Sequence, residues 1–171
     1  MVTADHRPDQ YLRKDFMGIV QVSSETAFQN SAEEIYDFVT DPRNWVKVYP
    51  GSEMIEGVDE LPLKVGDRWH EAGKSEQRYE WRLVTAERPW RWVFQSHGAL
   101  GHNRTDGSGG HQGIMTISYS FLSPGEGVTV FHRSMTVEVP KGVELPPGLI
   151  RSFEPKFIDQ YHAAVKKAIN G

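Results

Sequence analysis

Four polar side chains could do chemistry, because they fall in phase with apolar residues on predicted strands. Glu71 lies two residues after Trp69, and Ser96, Tyr119 and Arg133 each follow an aromatic or aliphatic residue by the same step. Side chains at positions i and i+2 of a strand point to the same face of a sheet. The four residues are therefore predicted to face the apolar interior, where they could contact a bound molecule.

A cation and a carboxylate in an apolar interior would have altered chemistry. A buried Arg133 needs a partner, which Glu71 or a carbonyl or carboxylate of a ligand could supply. A buried Glu71 would have a raised pKa and could act as a general acid or base, so Arg133, Tyr119 and Glu71 are the candidate catalytic residues. Two alternatives remain open. A one-residue shift in phase would turn His132 inward instead of Arg133, and Glu71 could form a structural ion pair with Arg133 or Arg82.

Aromatic residues dominate the same predicted face. Four of the five tryptophans lie between Trp69 and Trp92. Such a surface could stack on a flat ligand, although aromatic pairs also simply fill cores. With apolar residues of later elements, the predicted ligand contacts are Trp69, Tyr79, Trp81, Trp92, Phe94, Ser96, Met115, Ile117, Phe131, Met135, Phe157 and Tyr161.

The elements that position these side chains follow from periodicity. A capping box at Ser31 and Glu34 predicts a helix over Ala32–Thr40, and a second short helix or turn follows at 42–48. Alternation and turn residues predict seven strands: Met17–Phe28, Glu53–Val58, Asp67–Gly73, Arg78–Ala86, Trp90–His97, Gly113–Leu122 and Val128–Val139.

A long amphipathic helix is predicted at the C-terminal end, over Leu145–Ile169. Its apolar residues recur in steps of three and four, at Ile150, Phe153, Phe157, Tyr161, Ala164, Val165 and Ala168. This stripe must be buried against a sheet or another helix. Pro155 predicts a kink or short break, which could leave space between helix and sheet, unless the helix begins with Ser152 as its N-cap.

Composition narrows the function classes. The chain has 171 residues and no cysteine, and the absence of cysteine excludes disulfides and thiol chemistry. Its net charge of −4 gives no reason to expect a nucleic-acid or anionic-membrane partner. No apolar run reaches the roughly 20 residues of a membrane helix, and no signal-peptide pattern is present. We expect a cytoplasmic monomer or homodimer, with a flexible arm at residues 1–15 and a single domain at 16–171.

Three histidines flank a glycine-rich loop between two predicted strands. His97, His102 and His111 are spaced by five and nine residues, which matches no preorganised metal site. We therefore predict no metal and no cofactor. The loop, residues 98–112, is predicted to be mobile and could cover the mouth of a cavity.

Five segments carry a resemblance to a known family: Ser31–Val39, Asp41–Trp45, Val65–Trp69, Glu87–Phe94 and Gly127–Val130. With the order of elements, they resemble the helix-grip fold of the START/Bet v 1-like superfamily. More narrowly, the chain looks like the polyketide cyclase/dehydrase-like branch of the SRPBCC proteins. The likeness spans nearly the whole chain.

The resemblance implies an α+β fold in which a curved antiparallel sheet wraps around a long C-terminal helix. It also implies a cavity between sheet and helix that binds a hydrophobic or aromatic small molecule, such as a lipid, polyketide or aromatic metabolite. Because this scaffold serves many activities, fold alone does not choose among them. The alternatives are a cyclase, dehydratase or hydrolase using Arg133, Tyr119 and Glu71, and an interaction protein whose own side chains fill the cavity.

Overall fold

The computed structural model describes residues 18–73, 78–97, 113–139 and 147–171. The predicted N-terminal arm, residues 1–15, lies outside the described residues, as do the loop at 98–112 and the first two residues, 145 and 146, of the predicted C-terminal helix. The division of the chain into an arm and a single domain therefore stays a prediction, and so does a lid formed by the loop.

Seven antiparallel strands form one sheet around a long C-terminal helix, in the order β1-β7-β6-β5-β4-β3-β2. This confirms the predicted helix-grip architecture. The elements are β1 (Gly18–Phe28), α1 (Ala32–Val39), a 3-10 turn (Pro42–Asn44), α2 (Trp45–Val48), β2 (Ser52–Glu56), β3 (Arg68–Gly73), β4 (Arg78–Glu87), β5 (Arg91–His97), β6 (Ile114–Gly125), β7 (Val128–Val139), α3 (Pro147–Ser152) and α4 (Pro155–Asn170).

The predicted capping box starts α1. The backbone N–H of Glu34 donates to the Ser31 hydroxyl at 3.2 Å, and the Glu34 carboxylate accepts from the Ser31 N–H at 2.9 Å. These two bonds satisfy donors that the first turn of a helix otherwise leaves free. At the other end of α1, the Trp45 indole N–H donates to the Val39 carbonyl at 3.0 Å, which ties α2 to α1 and holds the Trp45 ring in the core.

The C-terminal helix is broken before Pro155, as one of the predicted alternatives requires. The chain leaves α3 after Ser152, whose hydroxyl donates to the Leu149 carbonyl at 2.6 Å, and α4 begins at Pro155 itself. Proline is tolerated at the first helical position because the missing N–H would have no partner there. Glu154, rather than Ser152, is the N-cap of α4.

The predicted phase of the apolar stripe is wrong at both ends. Ile150 is 37% exposed and Ala168 is exposed, whereas Ile158 and His162 are fully buried. The break before Pro155 resets the helical phase, so a single stripe cannot run through both helices. The buried position of His162 is compatible with its polar ring because Nδ1 forms a hydrogen bond with the Thr26 hydroxyl on β1.

The phase of the last strand is settled in favour of Arg133. Phe131, Arg133 and Met135 on β7 are buried, and His132 is on the opposite face. Arg133 is paired in register with Tyr119 on β6, so both side chains lie on the concave face of the sheet. The alternative with His132 inward is therefore excluded.

Candidate functional site

A cavity of about 270 Å³ lies between the concave face of the sheet and the C-terminal helices. This volume is close to the lower end of the range of about 300–1,000 Å³ that is usual for small-molecule sites. Most of the lining is aromatic or aliphatic: Trp45, Tyr49, Tyr79, Trp81, Phe94, Met115, Ile117, Tyr119, Met135, Leu149, Phe157 and Tyr161. The charged lining residues among those described are Glu71, Arg133 and Arg151.

The structure brings most of the sequence-predicted site residues to this cavity. Those that line it are Glu71, Tyr79, Trp81, Phe94, Met115, Ile117, Tyr119, Arg133, Met135, Phe157 and Tyr161. Alternation on adjacent strands placed nine of them correctly on the concave face, and Phe157 and Tyr161 were predicted from the helical stripe of what is now α4. Their roles in binding or catalysis stay predictions.

Four predicted ligand contacts, Trp69, Trp92, Ser96 and Phe131, are buried but do not line the cavity. Trp69 and Trp92 stack on each other at 5.6 Å, and the Trp45 ring packs across both of them. The position of α2 therefore closes this end of the concave face. The sheet pattern alone did not reveal which side chains another element would cover.

Several lining residues come from outside the strands and were missed. Tyr49, Pro50 and Gly51 form the turn between α2 and β2, and Leu149, Arg151 and Ser152 belong to α3. Together they border the cavity on the side of the helices. In the sequence, only the residue types of Tyr49 and Pro50 indicated this turn.

The Arg133 side chain is 4% exposed, and its guanidinium remains charged because arginine does not lose its proton in proteins. The rings of Tyr49 and Tyr161 lie 5.4 and 5.3 Å from its central carbon, at cation–π distance. Its Nε has no hydrogen-bond partner. The charge is thus held mainly by aromatic rings and phenol oxygens rather than by a carboxylate.

Phenol groups surround this cation. The Tyr161 hydroxyl donates to the Tyr119 hydroxyl at 3.3 Å. Burial raises the pKa of Tyr119, and the nearby Arg133 guanidinium offsets only part of that rise. Both phenols therefore keep their protons at neutral pH, and Tyr119, which accepts from Tyr161, can donate its own proton to a ligand oxygen.

Glu71 is buried on β3, and the Trp81 indole N–H donates to its carboxylate at 2.8 Å. Burial raises the pKa of Glu71, although Trp81, the nearby Ser52 hydroxyl and the charge of Arg133 each act to lower it. No ion pair joins Glu71 to Arg133 or Arg82, all three of which the structure describes. The expectation of a raised pKa is confirmed, and the direct ion pair is not found.

Other kinds of site have little support within the described ranges. Residues 18–73, 78–97, 113–139 and 147–171 contain no group of three or more side chains placed to hold a metal ion. The predicted loop histidines His102 and His111 lie outside these ranges. In the same ranges, no helix has the length and apolar character needed to cross a bilayer.

Comparison with solved structures identifies the fold. The crystal structure of Ara h 8.0201 has a TM-score of 0.62 with this chain at 11% identity, covering 89% of this chain and 98% of that one. A START superfamily protein from Mycobacterium smegmatis gives a TM-score of 0.61 at 12% identity, covering 88% and 97%. A protein from Mesorhizobium loti gives 0.61 at 10%, with the same coverage.

Sequence comparison adds no family assignment, since neither a protein-family model nor a curated protein matches the chain. Identities of 10–12% establish a shared fold only. The ligand and the chemistry must therefore be argued from the cavity itself.

Proposed function

We propose that this chain, which has the START/Bet v 1-like helix-grip fold, binds a hydrophobic or aromatic small molecule in its internal cavity. The observation that carries the proposal is the cavity of about 270 Å³, lined mainly by aromatic and aliphatic side chains. Protein interiors are normally packed to the density of organic crystals, so an unfilled apolar space of this size between the sheet and the helices is available to a ligand.

The lining suits a flat ligand. Tyr79 and Trp81 stack at 5.3 Å on one wall, and Phe94 packs edge-on against Trp81 at 5.0 Å. Tyr119 and Tyr161 form a second, stacked pair at 6.4 Å. A ring system inserted among these side chains would gain both apolar burial and aromatic contacts.

The proposal is tested with a neutral aromatic probe, N-phenyl-1-naphthylamine, whose fluorescence rises in an apolar site. The matched variants are Ile117→Trp, which places a large ring in the cavity, and Ser118→Trp, which adds the same ring on the opposite face of β6. Saturable binding to the native chain and to Ser118→Trp, lost in Ile117→Trp, supports the proposal. Equal binding to both variants would place the probe elsewhere.

A second candidate function is a dehydratase of the polyketide cyclase type, and it rests on the buried Glu71. A buried carboxylate with a raised pKa is a stronger base, so ionised Glu71 can take the proton next to a ligand ketone while Arg133 stabilises the enolate oxygen. The resulting Glu71 carboxyl group can then return that proton to the β-hydroxyl, which leaves as water. Loss of water from an aromatic β-hydroxy ketone would give a conjugated enone.

The dehydratase function is tested with 4-hydroxy-4-(2-naphthyl)-2-butanone as substrate. The reaction is monitored by the absorbance of the enone product. Catalysed dehydration that is lost in Glu71→Gln, with the probe still bound, would establish the enzyme. Binding of the ketone without turnover in the native chain would leave the cavity as a binding site alone.

A further inference from the structure

We propose that the ligand of this cavity is an aromatic acid whose carboxylate pairs with Arg133. This inference rests on the proposed binding function and assigns the ligand's chemical class. Its basis is a buried cation at the wall of an aromatic cavity that forms no ion pair with any carboxylate of the described residues.

The first observation is the state of Arg133. Its side chain is almost fully buried and lines the cavity, and its Nε has no hydrogen-bond partner. Glu71 supplies the one carboxyl group in the described lining; it accepts a hydrogen bond from the Trp81 indole and forms no ion pair with Arg133. A buried guanidinium is normally matched by an anion, because desolvation is otherwise uncompensated.

The second observation is the sign of the charge along the cavity. Two arginines line the cavity: Arg133 inside it and the exposed Arg151 at its border on α3. The one carboxyl group of the described lining is Glu71, and burial favours its neutral form. The whole chain, by contrast, carries a net charge of −4. The site is thus locally positive on an acidic protein, an arrangement that favours entry of an anion.

The geometry of the guanidinium selects a carboxylate. Arginine donates hydrogen bonds only in the plane of its guanidinium, and Nε is one of the two donors on the edge that holds a carboxylate bidentately. The Tyr119 hydroxyl, which remains protonated and accepts from Tyr161, is a nearby donor for a further ligand oxygen. The aromatic walls would hold the ring that bears the acid.

The experiment compares 2-naphthoate with 2-naphthamide, which have the same ring system and nearly the same shape but differ in charge. Dissociation constants are measured by isothermal titration calorimetry at pH 7 for the native chain, Arg133→Met and Arg133→Lys. Arg82→Met is the matched control, because Arg82 is exposed on the convex face of β4.

We expect the native chain and Arg82→Met to bind naphthoate about 10- to 100-fold more tightly than naphthamide. This is the ratio of dissociation constants that hydrogen bonds between Arg133 and a charged carboxylate would give. Arg133→Met should lose this preference while still binding naphthamide, which also shows that the variant is folded. Arg133→Lys should keep part of it, since the charge remains but the bidentate edge is lost.

Equal affinity of the two probes in the native chain would overturn the inference while leaving the proposed binding function intact. A preference for naphthoate that persists unchanged in Arg133→Met would also overturn it. Binding of neither probe to the native chain would instead contradict the proposed function.

Discussion

Acid should weaken the packing of α4 on the sheet through a single buried histidine. His162 is fully buried on α4, where its Nδ1 lies 2.9 Å from the Thr26 hydroxyl of β1 and its ring contacts Phe131 at 4.6 Å. Its Nε2 has no hydrogen-bond partner, so in the protonated ring the Nε2–H would be a buried, charged donor without an acceptor.

The charged groups around His162 reinforce this effect. Burial lowers the pKa of His162 to about 3, and the positive charges of Arg133 and His132 act in the same direction. The negative charge of Asp159, one turn earlier on α4, raises the pKa of His162, but by less than the other groups lower it. The folded protein therefore keeps this ring neutral well below neutral pH.

The size of the effect follows from proton linkage. In the unfolded chain the histidine has a pKa of about 6.5, so the unfolded state takes up the proton first as the pH falls. The stabilisation from the neutral ring is complete above that value and is lost as the pH drops toward about 3. Between pH 7.5 and 4.5 this single residue should lower the free energy of unfolding by about 3 kcal/mol.

The assay is urea unfolding followed by tryptophan fluorescence at pH 7.5, 6.0, 5.0 and 4.5. His162→Gln removes the titration while keeping a polar partner for Thr26, and His70→Gln is the control at an exposed histidine. Native and His70→Gln proteins should lose about 3 kcal/mol more than His162→Gln over this range. A difference below about 1 kcal/mol would refute the reasoning.

Three further predictions test the elements and the cavity separately. Ser31→Ala removes the capping box and should cost about 1 kcal/mol of stability in thermal unfolding; an unchanged melting temperature would contradict the role of the cap. Phe131→Ala removes a fully buried ring from the core and should cost about 3–5 kcal/mol in urea unfolding, and a loss below about 1 kcal/mol would mean that the core is not packed as described. Because the pKa of Glu71 is raised, its carboxylate forms only as the pH rises through that value, so affinity for 2-naphthalenesulfonate should fall with rising pH in the native chain and stay level in Glu71→Gln. Parallel pH profiles for the two proteins would show that Glu71 does not face the ligand.

The strands of the site could be read from the sequence because alternation is a local signal. Tyr79, Trp81 and Phe94 fall on the concave face wherever the strands begin or end, since side-chain direction repeats every two residues. The inward orientation of Arg133 could not be settled by alternation alone, because the phase of β7 depends on its pairing with β1 and β6. That pairing is a long-range contact that no window of residues contains.

The helical side of the site was less accessible to prediction. Its shape depends on where the chain breaks at Pro155, which fixes whether Ile150 or Leu149 turns inward. His162 escaped notice because a polar residue is assigned to the solvent face unless its partner, Thr26, is known to lie opposite. Trp45 reaches the cavity from a helix of four residues, whose orientation no periodicity can define.

The most direct test of the central claim is a crystal structure of the protein bound to 2-naphthamide, the neutral probe. The account predicts density for the ring system between the strands and the C-terminal helices, in contact with Trp81, Phe94 and Tyr161. Density for the probe only outside the sheet, with these side chains closed over the cavity, would contradict it.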